Sequence, residues 1–183
     1  MPGAGKSFVA DELVKQGFEY MRFGQIILDR VKEKGLEINE ENERKIREQL
    51  AEEEGMCAIA TRNIPKFDEI LKEKNVVGDG LYRWSEYKLL KERYGDSMYV
   101  IAVYASPKLR YQRLENRKVE NDSRSRFRSY TKEQAKARDY AEIEHIEKGG
   151  PIAMADYTII NTGTLENLKE ELNRILLEIN DQT

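Results

Sequence analysis

Residues 3–7 read Gly-Ala-Gly-Lys-Ser, and no other stretch limits the possible folds of this chain so severely. A phosphate-binding loop follows the pattern G-x-x-x-x-G-K-[ST] and runs from a β-strand into the start of a helix. Met1-Pro2-Gly3-Ala4-Gly5-Lys6-Ser7 supplies every position of that pattern except the first glycine, which would precede Met1. The apolar strand that should feed the loop is also absent. We therefore expect the sequence to be short of its natural start by roughly ten residues, about one strand and a turn. The chemistry still follows from the residues present. Gly3, Ala4 and Gly5 let backbone N–H groups approach phosphate oxygens closely. The helix that follows directs its positive end at the anion. Lys6 would reach the β- and γ-phosphates, and the Ser7 hydroxyl would ligate Mg²⁺. The alternative is a glycine-rich helix start that arose by chance.

Behind the loop the chain alternates between helical and strand-like segments. Helices are predicted over residues 7–16, stopped by Gly17, and over 25–34, stopped by Gly35. Asn39 should cap a charged helix to residue 54, ended by Gly55. A helix over 57–63 should stop before Pro65, with a short one over 67–74 after it. Further helices are expected over 85–94, from Pro107 to 116, from a Thr131 cap to 148, and over 165–179, with Gly149-Gly150-Pro151 as a break. Strands are expected over 18–23, 75–79, 98–105 and 157–160; the continuous apolar run at 98–105 suits a parallel strand covered on both faces. Residues 118–130 are polar and charged without periodicity and read as a flexible insertion. Strands separated by helices imply an α/β fold of three layers, a parallel sheet with helices on both faces. With 183 residues, no repeat and no linker, one domain over 1–183 is expected, with a lid insertion at about 117–131. Ligands in such sheets bind beyond the carboxyl ends of the strands, where Gly3 to Ser7, Phe23-Gly24, Asp79-Gly80, Ser106 and Asn161 all lie.

Composition narrows the partners. A net charge of −3 gives no general nucleic-acid binder. The local basic stretch of Arg117, Arg124, Arg126 and Arg128 has only Phe127 and Tyr130 as aromatic company, which is thin support for RNA stacking. No apolar run approaches the roughly 20 residues of a membrane span, and no secretory segment is recognisable. A cytoplasmic protein is expected. Cys57, with Met56 and Ala58 to Ala60 beside it, reads as a small core residue on a buried helix face. His145, among Glu142, Glu144 and Glu147, reads as a surface residue.

Asp79 ends a predicted strand, where a carboxylate can hold Mg²⁺-bound water or orient an acceptor hydroxyl; capping the next turn is its alternative role. No acidic residue follows it, which argues against an ATPase that activates water with a glutamate there. Arg110, Arg113 and Arg117 recur at three and four residues and so share a helix face, with Arg138 on the next helix. Guanidinium groups match phosphate geometry, and on a mobile lid they can close over a nucleotide. A solvated basic face is the competing reading. Asn161-Thr162-Gly163 follows the last strand and either lines an adenine pocket or forms a turn with Thr164 as N-cap.

Taken together, these residues resemble the nucleoside-monophosphate kinase group of P-loop kinases, most of all the archaeal-type adenylate-kinase-related proteins and dephospho-CoA kinases. The resemblance runs over nearly the whole chain. It is carried by Pro2 to Ser7, Val77-Gly78-Asp79-Gly80, Ala105-Ser106-Pro107 with Arg110, Arg113 and Arg117, Asp122-Ser123, Arg138-Asp139, and Ile152-Ala153-Met154-Ala155-Asp156-Tyr157 leading to Asn161-Thr162-Gly163. It implies a five-stranded parallel sheet, use of ATP and Mg²⁺, and lid arginines. By position it sets Arg113 and Arg117 against the adenine and phosphates, Arg138 near the transferred phosphoryl, and Asp79 at the metal or the acceptor. Nucleotide contacts then fall to Gly3, Ala4, Gly5, Lys6, Ser7, Arg113, Asn161 and Gly163; the catalytic set is Lys6, Asp79, Arg113, Arg117 and Arg138; Ser7 and Asp79 serve the metal. The chain departs from many relatives at Gly24-Gln25 and Leu28, with Arg30 two places late, and at Val119 in the lid. The expected function is phosphoryl transfer from ATP to a nucleotide or nucleotide-like small molecule. A nucleotide-dependent switch or ATPase, and a binding protein without turnover, are the alternatives. Asn161-Thr162-Gly163-Thr164 does not supply the guanine-reading element of a GTPase.

Overall fold

The structure is a computed structural model that describes residues 1–117 and 130–182. The residues fall into two compact units, one of Met1–Glu12 with Tyr99–Thr183, the other of Leu13–Met98. The expected lid at 117–131 lies almost wholly outside the described residues, as do Val119, Arg124, Arg126 and Arg128.

The unit of Leu13–Met98 holds strands β1 (Glu19–Arg22) and β2 (Val76–Asp79), with helices α2 (Gln25–Glu33), α3 (Glu40–Glu54) and α4 (Ala58–Ile70) between them and α5 (Trp84–Tyr94) after them. α1 (Lys6–Lys15) precedes β1. The helical crossover makes β1 and β2 parallel, in register from Glu19 against Val76 to Arg22 against Asp79. Asn39 caps α3 as expected: its side chain accepts from the Asn42 amide at 2.9 Å, and Gly55, at φ 88°, ends the helix. The core gathers Met21, Phe23, Ile27, Val31, Ile46, Leu50, Ile59, Phe67 and Leu90. Phe23 and Phe67 meet with ring centroids 5.3 Å apart. They leave no room for a side chain on β2 at Gly78, whose added Cβ would lie 2.8 Å from the Phe23 ring.

Two expectations in this unit are corrected. The predicted break before Pro65 does not occur, and α4 runs through it. Ile59, Ala60, Asn63 and Phe67 form one buried face, whereas Pro65 and Thr61 are exposed. The carbonyl that Pro65 leaves unpaired can therefore be met by water, while burial of Ile59 and Phe67 contributes about 1.5–3 kcal/mol each. Asn63 secures the same face, donating to the carbonyls of Ile59 at 2.9 Å and Phe23 at 3.2 Å. Cys57, expected in the core, is only half-buried, because α4 begins one residue later and turns Ala58, Ile59 and Ala60 inward instead.

Glu86, one turn into α5, is 1% exposed. Its carboxylate accepts from the Arg83 amide at 3.2 Å. Burial pushes the carboxyl up to about 7, an effect only partly offset by the amides of Arg83, Tyr82 and Ala60 and the charge of Arg83. Between its ordinary value of 4.5 and about 7, the folded protein holds a proton that the unfolded chain has released. Stability from this group is therefore present at low pH and declines as pH rises through that window. Glu86→Gln keeps an oxygen for the Arg83 amide and removes the charge. We expect its Tm at pH 8 to exceed the parent's by a few degrees, about 1–3 kcal/mol of stability. The difference should shrink toward zero near pH 4.5; a variant less stable than the parent at pH 8 overturns the assignment.

The other unit holds β3 (Ile101–Tyr104), α6 (Pro107–Glu115), α7 (Lys132–Glu144), α8 (Gly149–Ala153), β4 (Tyr157–Ile160) and α9 (Leu165–Gln182). β3 and β4 are parallel, from Ile101 against Tyr157 to Tyr104 against Ile160. Val103, Ala105, Leu114, Ala135, Ile159, Leu168, Leu172 and Ile175 are buried. β3 is shorter than its apolar run because only four residues of β4 face it; Met98 is spent on closing the turn after α5, its amide donating to Gly95 at 3.3 Å. α7 stops at Glu144 rather than 148, and His145, which ends it, is exposed as expected. Gly149-Gly150-Pro151 starts a helix instead of breaking one. Pro151 sits in the first turn of α8, where its missing N–H has no intrahelical partner to lose.

The architecture is thus α/β, with parallel strands flanked by helices. Among the described residues the strands form two two-stranded sheets, β1–β2 and β3–β4, and none precedes α1. No helix among them is long and apolar enough to cross a membrane.

Candidate phosphate-binding site

The loop of residues 1–7 owes its shape to two glycines in the left-handed region, Gly3 at φ 76° and Gly5 at φ 110°. Neither place admits a side chain. An added Cβ would stand 2.8 Å from the Arg110 carbonyl at Gly3, and 2.4 Å from the Asn161 amide nitrogen at Gly5. Between them Ala4 is buried, and its carbonyl accepts from Asn161 Nδ2 at 2.8 Å. The Gly5 carbonyl accepts from the amides of Phe8 at 3.1 Å and Val9 at 3.3 Å, which opens α1. Lys6 and Ser7 are the first residues of that helix, whose leading amides have no intrahelical acceptor. The Lys6 ammonium folds back along the loop and donates to the Met1 carbonyl at 2.9 Å.

Asn161 stands at the end of β4, placed there by the hydrogen bond of its own amide to Tyr104 at 2.7 Å. Its side-chain oxygen accepts from Arg113 Nη2 at 3.3 Å, so a chain of contacts runs from the Ala4 carbonyl through Asn161 to Arg113 on α6. Arg113 Nη1 is buried with no hydrogen-bond acceptor among the described residues, and burial alone lowers the guanidinium's pKa. A buried donor of this kind calls for an acceptor, which water, a phosphate oxygen or a ring nitrogen can supply.

The arginines that share spacing on α6 do not share an environment. Arg110 is buried and makes a two-pronged pair with Asp139 of α7, at 2.9 and 2.5 Å. It also donates to the carbonyls of Ala105 at 3.0 Å and Pro2 at 3.1 Å, and so ties the loop to α6 and α7. The Tyr111 hydroxyl donates to the same carboxylate at 3.0 Å. Arg117 follows α6, half-buried, its pKa lowered mainly by burial. Arg138 lies on α7, where Nε donates to Glu142 at 2.9 Å; its guanidinium bonds the Tyr130 hydroxyl and lies 5.4 Å from that ring's centre. Glu142, itself buried, also accepts from Lys148.

Lys6, Ser7, Gly3, Ala4, Gly5, Arg113 and Asn161 are therefore neighbours around one loop. Gly163 is in the exposed turn after β4, where Thr164 and Asn167 cap α9 reciprocally: each amide donates to the other's side-chain oxygen at 3.2 Å. Asp79 belongs to the other unit. It ends β2 opposite Arg22 and accepts from the Tyr20 hydroxyl at 3.0 Å. Asp139, Glu142 and Lys148 escaped the sequence reading as site residues. The i,i+4 spacing of Arg138 and Glu142 was the one available signal. Among the described residues no group of three His, Cys, Asp or Glu side chains is placed to hold a metal. An Mg²⁺ ion carried by nucleotide phosphates needs only one or two protein oxygens.

A protein family described as an AAA domain matches residues 1–144. A UPF0200/UPF0201 protein of Archaeoglobus fulgidus is 35% identical over 179 residues, 97% of this chain and 53% of its own length, so the chain spans about half of that relative. A UPF0200 protein of Thermococcus kodakarensis is 32% identical over 181 residues, 98% of this chain and 94% of its own. One from Methanocaldococcus jannaschii is also 32% identical, over 180 residues, 98% of this chain and 87% of its own. Among solved structures, a shikimate kinase from Acinetobacter baumannii, in complex with shikimate, superimposes with a TM-score of 0.52 at 22% identity, covering 97% of this chain and 89% of that one. That likeness is one of fold.

Proposed function

The chain belongs to the UPF0200 family and has a P-loop kinase-like α/β fold, and on that footing we propose that it transfers the γ-phosphoryl group of ATP to a nucleotide or nucleotide-like hydroxyl or phosphate acceptor. The observation that carries this reading is the loop itself. Two positive-φ glycines are packed so closely that a Cβ would collide with Arg110 or Asn161, and they lead into a helix that opens with Lys6 and Ser7. Backbone held in this way presents amides to an anion. The buried Nη1 of Arg113, which has no acceptor among the described residues, is compatible with the same ligand class.

These residues fit ATP and Mg²⁺. When bound, ATP would supply the phosphoryl group and Mg²⁺ would offset charge that develops on its phosphates. Gly3, Ala4 and Gly5 wrap the phosphates with backbone. Lys6 exchanges the Met1 carbonyl for the terminal phosphates, and Ser7 offers its hydroxyl to the metal. Arg113, braced by Asn161, and Arg117 serve the adenine and the phosphates; Arg138 neutralises charge on the transferred group; Gly163 borders the adenine. Asp79 belongs to the other unit, where it accepts from Tyr20, and its proposed role, taken from the sequence alone, is at the acceptor or at metal-bound water. Positioning and charge stabilisation supply the catalysis, with no covalent intermediate on the protein.

The test is single-turnover reaction with γ-labelled ATP against nucleoside monophosphates and dephospho-CoA. Label appearing on an acceptor is the expected result. Phosphate release without transfer would make the protein an ATPase or switch, and nucleotide binding without either would make it a non-catalytic binder.

A further inference from the structure

Asn161 is buried, and both polar atoms of its side chain bond to groups of the same unit. Nδ2 donates to the Ala4 carbonyl at 2.8 Å, and Oδ1 accepts from Arg113 Nη2 at 3.3 Å. The partners fix which end is which, since turning the amide over would set its oxygen against a carbonyl and its NH₂ against a guanidinium. The contact with Ala4 has a consequence one atom further along the chain. The Ala4–Gly5 peptide is trans, and in a trans peptide the C=O and the N–H point in opposite directions. With the Ala4 carbonyl turned to Asn161, the Gly5 N–H points to the other side of the loop. Among the described residues that N–H has no acceptor. Asn161 also closes the near side of Gly5, where an added Cβ would lie 2.4 Å from Nδ2. Glycine populates both signs of φ, so Gly5 by itself tolerates either orientation of the peptide before it. The residues beside the loop therefore leave that orientation open. Asn161, 157 residues later in the chain, decides it.

We propose that Asn161 is a positioning residue of the phosphate loop: by holding the Ala4 carbonyl, it keeps the Gly5 N–H aimed at the bound phosphates. The proposal rests on the phosphate-loop reading above, and it gives Asn161 a role other than lining an adenine pocket. Without the Asn161 donor the Ala4–Gly5 peptide is free to turn over. It would then face the anion with a carbonyl oxygen, which repels it, in place of an N–H. The contact with Arg113 works in the same direction. A guanidinium donating to Oδ1 draws electron density through the side-chain amide and makes Nδ2 the stronger donor to Ala4.

The experiment uses the full chain, isotope-labelled for amide NMR, with Mg²⁺-free inorganic tripolyphosphate and, separately, ATP. Parent, Asn161→Leu and Asn161→Asp are compared, each with a thermal melt. Leucine matches asparagine in shape but neither donates nor accepts; aspartate keeps an acceptor for Arg113 and loses the donor to Ala4. In the parent, saturating tripolyphosphate should move the Gly5 amide proton downfield and slow its exchange with solvent. Asn161→Leu should bind tripolyphosphate about tenfold more weakly, the scale of one hydrogen bond to a charged group. ATP should weaken by the same factor, and the Gly5 response should be lost. Asn161→Asp should lose that response too, because its carboxylate repels the Ala4 carbonyl. An adenine contact would instead weaken ATP and leave tripolyphosphate untouched. That outcome overturns the proposal. So does a parental Gly5 amide that ignores bound tripolyphosphate, a Gly5 response retained in Asn161→Asp, or undiminished tripolyphosphate binding by a folded Asn161→Leu; each of these leaves the phosphate site standing. Failure of the parent to bind tripolyphosphate at all removes the phosphate site itself, and this inference with it.

Discussion

Lys6→Ala is expected to abolish phosphoryl transfer, lowering the single-turnover rate by about a hundredfold to a thousandfold or more while the protein stays folded. Lys6 is half-buried, and its ammonium reaches across the loop to the Met1 carbonyl at 2.9 Å. That contact puts the charge alongside the loop backbone and exchanges readily for a phosphate oxygen. Alanine has the best intrinsic helix propensity, and the hydrogen bonds that open the helix end on the Gly5 carbonyl, not on the side chain. Unfolding followed by circular dichroism should therefore be nearly unchanged, while the rate and the affinity for nucleotide fall. Transfer at the parental rate would take Lys6 out of the mechanism and leave the loop as a structural turn.

How much of this was legible beforehand depends on how local the cause is. The loop was readable because its chemistry lies in contiguous backbone: small residues, then Lys6 and Ser7 at a helix start. The Asn39 cap and the four strands were readable for the same reason, since each rests on neighbours a few residues away. Breakers were misread where their effect depends on position within a helix. Pro65 is harmless on an exposed face, and Pro151 is at home in a first turn. The arginine spacing put Arg110 and Arg113 on α6, with Arg117 just past its end, but spacing does not name partners. Asp139 claims Arg110 from another helix, and Asn161 reaches Arg113 from a strand 48 residues away in sequence. Lys148 had no signal at all, because nothing in its flanks announces that a turn at Glu147 will bury it.

The largest loss of stability should come from Asp139→Ala. The Asp139 carboxylate accepts from two guanidinium nitrogens of Arg110 and from the Tyr111 hydroxyl, and both side chains of the ion pair are 5% exposed. Removing it leaves a buried guanidinium without its counter-charge, a change that costs about 3–5 kcal/mol. For a chain of this size that is a fall in Tm of roughly 10 °C or more. The exposed Arg174, bonded to Glu171 and Glu178 on the surface of α9, provides the contrast: Arg174→Ala should leave the Tm within error. Arg110 also donates to the Pro2 carbonyl, and its own carbonyl crowds Gly3, so a displaced Arg110 shifts the loop as well as the fold. Asp139→Ala should accordingly weaken nucleotide binding even at temperatures where it remains folded. Arg110→Met combined with Asp139→Leu separates the two effects. Exchanging a buried pair for apolar residues of similar volume should recover much of the Tm, but it restores no donor to Pro2, so the affinity should stay low. Recovery of both together would mean that the pair acts on the loop only through overall stability.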